Sequence, residues 1–108
     1  MDVKIGREIE FIPEFRGNKK EKEPIIMVIK YLTVSERDSW FENKGDDVSL
    51  KAMQELAQLC VKEIRNLRVN GEDIKTVDEL MNTPGLIPLY KEAVEKMTAV
   101  NMETDSKN

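Results

Sequence analysis

The stretch LKAMQELAQLCVKEIRNL, residues 50–67, decides how this chain reads as a fold. Leu50, Met53, Leu56, Ala57, Cys60, Val61, Ile64 and Leu67 recur at steps of three and four, the spacing of one helical face. Taken whole, the repeat predicts a single helix of about five turns with a wide buried stripe. Just upstream, KGDD (44–47) interrupts an earlier helical segment, and Asp47 or Ser49 can cap the new helix.

Further upstream the period changes from helix to strand. In IIMVIKYL (25–32), Ile25, Met27, Ile29 and Tyr31 alternate with Ile26, Val28 and Lys30, and the β-branched content favours a strand. Near the start, Val3, Ile5, Ile9 and Phe11 share one alternating face, which Arg7 interrupts beside Gly6, a residue that permits a bulge. The charged segment PEFRGNKKEKEP (13–24) reads as an exposed loop joining these strands into an antiparallel hairpin. Two strands are marginal alone, so helices must cover their apolar face. Thr33 and Glu36 have the spacing of a capping box, opening a short helix that carries Trp40 and Phe41 near its end.

Downstream, RVNGEDIKTVDEL (68–80) offers an Asn-Gly reversal followed by a second capping box, Thr76 with Glu79. A short helix follows and ends between Asn82 and Gly85. The last helix carries Leu86, Leu89, Tyr90, Ala93, Val94, Met97 and Val100 on one face. Thr83 and Pro84 suit its start, and Pro88 can move that start by a turn. The fold class is therefore α+β, an N-terminal antiparallel β-hairpin packed beside three to four α-helices. One domain spans 1–101, and METDSKN (102–108) reads as a flexible tail.

Composition narrows the chemistry. The 108 residues include no histidine and one cysteine, which removes the commonest general base and any multi-cysteine metal site. Net charge is −4 and no apolar run approaches bilayer length, so neither nucleic acid nor membrane is the expected partner. The charged first ten residues lack the apolar stretch of a secretory signal, which points to the cytoplasm. Arg16, Lys19, Lys20 and Lys22 form the most basic spot, but Glu14, Glu21 and Glu23 interleave with them and no aromatic residue lies among them.

Asn66, Asn70 and Gly71 echo a calcium loop, yet Arg68 and Val77 stand where ligand oxygens are needed. Cys60 lies on an apolar stripe with no histidine to activate it. The adjacent acids Asp46–Asp47 and Glu72–Asp73 diverge on most backbones and suit turns and helix starts. No phosphate loop or nucleophile elbow is present. The expectation is a protein without catalysis, cofactor or metal.

One further layer comes from pattern. The segment EFIPEFRGNKKEKEPIIMVIKYLTVSERDSW, the long apolar repeat, and LRVNGEDIKTVDELM with the PGL, LY and EAVEKM that follow resemble small proteins of the tail gene clusters of long-tailed bacteriophages and prophages, especially the tail assembly chaperones. The resemblance implies a helper that keeps the long apolar tape-measure protein in solution while tail tube protein assembles around it. It also implies, in many such systems, a longer frameshifted form, for which the DSKN end is a candidate region. Physically this needs an adaptable apolar surface, and the candidate residues for it are Leu50, Met53, Ala57, Met81, Tyr90 and Met97. Two other readings remain open: a virion structural component, such as a tail-completion or head–tail joining protein, and a nucleic-acid-binding regulator using residues 16–22. Oligomeric state is not legible from the sequence.

Overall fold

The computed structural model describes residues 1–44 and 49–101; Asp46, Asp47 and the segment 102–108 lie outside them. Along the chain come β1 (Glu8–Phe11), a pair of 3-10 turns (Phe15–Lys20), β2 (Ile26–Lys30), α1 (Val34–Lys44), α2 (Leu50–Cys60) and β3 (Val61–Arg65). They are followed by β4 (Arg68–Val69), β5 (Glu72–Asp73), α3 (Val77–Met81) and α4 (Ile87–Asn101). The expected α+β class holds, and β1 pairs with β2 as an antiparallel hairpin, Glu8 opposite Lys30 and Phe11 opposite Met27.

The main correction falls on residues 50–67. Ser49 caps α2, its hydroxyl accepting from the Ala52 amide at 3.2 Å, but the helix stops at Cys60. Val61 turns to an extended conformation and opens a third strand, antiparallel to β2, so the sheet runs β1–β2–β3. The register explains how a strand carries helical spacing. Val61 lies opposite Ile29 and Glu63 opposite Val28, so β3 spends one extra residue, Lys62, at a bulge. Without the bulge Val61 and Ile64, three apart, would face opposite sides of the sheet. With it both point into the core, at 6% and 2% exposure. Both are β-branched, which suits a strand better than a fourth and fifth helical turn.

The core lies between one face of this sheet and the helices. Met27 and Ile29 of β2 and Val61 and Ile64 of β3 meet Leu56 and Cys60 of α2, Leu80 of α3, and Leu89, Ala93 and Met97 of α4. On the opposite face Val28 is buried as well, at 3% exposure, between cross-strand neighbours Glu10 and Glu63. Arg65 reaches across β2 over that position, bonding Glu63 on its own strand and Glu10 on β1, each at 3.0 Å.

β1 is shorter than the apolar alternation suggests. It begins at Glu8, and Val3 and Ile5 are exposed. The charged loop is partly built inward. Asn18 is buried, its side-chain amide donating to the carbonyls of Pro13 (2.8 Å) and Ile25 (3.0 Å) while its oxygen accepts from the Ile25 amide (2.6 Å). One side chain thus fastens both ends of the connection between β1 and β2.

The Asn-Gly reversal forms as read: β4 and β5 pair around Asn70 (φ 53°) and Gly71 (φ 85°), both in the left-handed region that this turn requires. The ladder continues from the Ile74 amide to the Leu67 carbonyl, and the Ile64 amide bonds the Lys75 carbonyl, tying the hairpin to β3. The Thr76–Glu79 capping box is complete and opens α3. α4 starts at Ile87, a turn later than Pro84 would set it, with Pro88 in the first turn where its missing amide costs little. At the other end Asn101 accepts from the Leu32 amide and donates to the Lys30 carbonyl, both at 2.9 Å, docking α4 against the end of β2.

Candidate functional site

α1 is the element least absorbed by the fold. The Thr33–Glu36 capping box starts it, the Glu36 carboxylate accepting from the Thr33 amide (3.0 Å) and the Thr33 hydroxyl from the Glu36 amide (3.1 Å). Lys30 forms an ion pair with Glu36, and this pair, with the cap, holds the Glu36 carboxyl below its usual range. None of the residues of α1 whose burial is described is fully buried. Its charges follow no clean apolar stripe, so Trp40, half-buried against the core, is the main apolar anchor.

An open groove of about 430 Å³ runs beside this anchor, lined by Ser35, Glu36, Ser39, Trp40 and Leu59. The indole N–H of Trp40 is shielded from solvent and has no hydrogen-bond acceptor among the described residues, and the Nε of Arg37 is in the same condition. Such donors are usually paired, and leaving one unpaired costs roughly 1–3 kcal/mol. On the far side of α1, Val34 (75% exposed) and Phe41 (40%) lie seven residues apart on one helical face. Phe41 meets the Trp40 ring edge-on at 5.0 Å and carries the Arg37 guanidinium 5.9 Å from its centroid.

The residues expected to form a partner surface are not gathered here. Leu50 is 82% exposed at the start of α2; Met53, Met81 and Tyr90 are half-buried on three different helices and pack against the core. Ala57 and Met97 are fully buried within it. The Tyr90 hydroxyl is shielded and has no partner among the described residues, and burial raises its pKa. Sequence reasoning passed over Trp40 and Phe41 as binding candidates. The available signal was an aromatic pair on a helix whose other residues are nearly all polar.

The larger cavity, about 740 Å³, lies beside β3 and the β4–β5 hairpin. Four of its six charged side chains, Glu63, Arg65, Arg68 and Asp73, are held in ion pairs. Arg65 holds Glu63 and Glu10, Arg68 holds Asp73 at 3.0 Å, and the Glu63 carboxyl is lowered by Arg65. Glu79 is lowered by the Lys75 and Thr76 amides it caps. Cys60 is buried, and desolvation pushes its thiol up to about 11, with Asn101 Nδ2 at 3.8 Å. That is a thiol protected from reaction, since the thiolate is the nucleophile. Among the described residues no group of three or more Cys, Asp or Glu could hold a metal ion, and no helix is long and apolar enough to cross a membrane. Compared with family models, curated proteins and solved structures, the chain gives no match.

Proposed function

We propose that this protein is a non-enzymatic binding module that acts as a tail assembly chaperone of a long-tailed bacteriophage or prophage, working in the cytoplasm of the bacterial host. In this reading it holds apolar helical segments of the tape-measure protein until tail tube protein encloses them. The observation that carries the reading is the α1 groove: an open apolar wall of Trp40 and Leu59 with a shielded, unpaired indole donor beside it. An amphipathic helix is the partner such a groove fits, its apolar side chains meeting the indole face. Val34 and Phe41, on the far side of α1, and Leu50, at the start of α2, are exposed apolar residues outside the groove. The likeness of the sequence to tail assembly chaperones supplies the identity of the partner.

Co-expression with fragments of a tape-measure protein tests this. Wild-type protein is expected to keep the fragments in solution, to co-purify with them through high salt, and to be missing from finished virions. Leu50→Asp and Trp40→Ala separate the two candidate surfaces, since Leu50 is exposed and Trp40 lines the groove. Loss of capture with Trp40→Ala alone assigns the groove, and loss with Leu50→Asp alone assigns the start of α2. Protein retained in purified virions would favour the structural-component reading instead.

A further inference from the structure

The groove beside α1 has hydrogen-bonding capacity of one kind left over. Its one acidic residue, Glu36, is spent: one carboxylate oxygen accepts from the Thr33 amide at 3.0 Å and the other pairs with Lys30. The donors are not spent. The indole N–H of Trp40 and the Nε of Arg37 are shielded and meet no acceptor among the described residues. Arg37 has no ion pair among those residues either. Its guanidinium lies 5.9 Å from the Phe41 centroid, a stacking contact that limits the orientations it takes.

Helical geometry groups these donors. Arg37 and Trp40 are three residues apart on α1, about 60° round the axis and nearly one turn along it. The other acids of the helix, Asp38 and Glu42, stand about 100° and 140° round from Arg37, so neither shares its edge. Trp and Arg are also the residue types in which binding energy concentrates at interfaces. A carboxylate is the side chain that answers this inventory. It only accepts, and it takes two donors of a guanidinium at once while keeping lone pairs for a further N–H. A hydroxyl or an amide would bring donors of its own, and an ammonium group nothing but donors.

We propose that the helix received by the groove carries an Asp or Glu one turn from its apolar anchor, and that Arg37 and the Trp40 indole hold this carboxylate while the anchor lies against Trp40 and Leu59. The carboxylate contact rests on the groove being the binding site, as read above, and adds the chemistry by which one helix is chosen over another. Of the guanidinium nitrogens only Nε is shielded in the free protein, so the terminal nitrogens meet the carboxylate first. A turn of the indole about its side-chain bonds then brings its N–H to the same group. Apolar contact supplies most of the affinity, and the charge pair supplies specificity and register.

Three designed amphipathic helical peptides test this, alike except at one position a turn from their leucine anchors, which is Glu, Gln or Lys. Each is titrated into the full chain and followed by calorimetry and Trp40 emission. The Glu peptide is expected to bind about tenfold more tightly than the Gln peptide, the scale of a hydrogen bond to a charged group, and the Lys peptide more weakly than both. Raising the salt concentration should narrow the preference for Glu and leave the affinity of the Gln peptide in place. Arg37→Gln should equalise the Glu and Gln peptides without weakening the Gln peptide. Arg37→Lys should restore part of the preference, with circular dichroism reporting that each variant is folded. Equal binding of the Glu and Gln peptides by wild type, or a preference that survives Arg37→Gln, would overturn the proposal and leave the groove reading standing. Binding of none of the three peptides would overturn the groove reading, and the carboxylate contact with it.

Discussion

At the scale of single residues, buried polar groups separate structural roles from candidate binding roles. Asn18 is 3% exposed and fully used, joining Pro13 to Ile25. Asn18→Ala leaves two carbonyls and an amide without partners, so it should cost about 2–4 kcal/mol, read as a lowered urea midpoint. Its role was hidden in the sequence, where a lone Asn among lysines and glutamates resembles any solvated loop residue. Trp40 is the opposite case, a shielded donor with no acceptor among the described residues. Trp40→Phe deletes that donor and keeps most of the apolar bulk, so stability should change by less than about 1 kcal/mol. Cys60 titrates with a consequence for stability. Its folded pKa of about 11 exceeds the ordinary 9.0, so the folded state holds its proton more tightly. The contribution is complete below pH 9 and lost as pH rises through 11. Thermal melts should therefore fall across that window, and Cys60→Ala should flatten the decline. A thiol reagent should label Cys60 at pH 8 only as fast as the protein unfolds.

At the scale of elements, local signals were read correctly wherever one period held. The β1–β2 pairing, the Asn70–Gly71 reversal, both capping boxes and the Ser49 cap were all legible, because each is written in a few adjacent residues. The reading failed where a bulge imitates a helix. Lys62 inserts one residue between Val61 and Ile64, giving a strand the three-residue step of a helix, and α2 flows into β3 without a Gly or Pro to mark the join. Deleting Lys62 removes the bulge and sets Val61 and Ile64 two residues apart, so both stay on the core face of a regular ladder. The deletion should therefore cost less than the roughly 2–3 kcal/mol of one lost side-chain burial, measured by denaturant titration. α1 lies at the other extreme. Held by Trp40, a cap and the Lys30–Glu36 pair, its amides should exchange with deuterium through local opening, well before those of Met27, Ile29 and Leu56.

At the scale of the whole molecule, α2, α3 and α4 enclose one face of a small sheet and leave α1 beside an open groove. Of the candidate surface read from the sequence, Leu50 is fully available, Met53, Met81 and Tyr90 are half-available, and Ala57 and Met97 are interior. Periodicity reports which residues share a face and carries no information on whether another element of the same chain already covers it. Composition could not reveal the groove either, because it is made by the placement of α1 beside Leu59, two elements apart in burial and charge. The central claim is that this groove receives an apolar helix, and the chain carries its own reporter there, since Trp40 is its one tryptophan. Titration with a helical tape-measure peptide, followed by tryptophan emission at high salt, is the most direct measurement. The expected result is a saturable blue shift that Leu59→Asp abolishes while the circular dichroism is unchanged. Binding that leaves Trp40 emission untouched, or no binding at all, would contradict it.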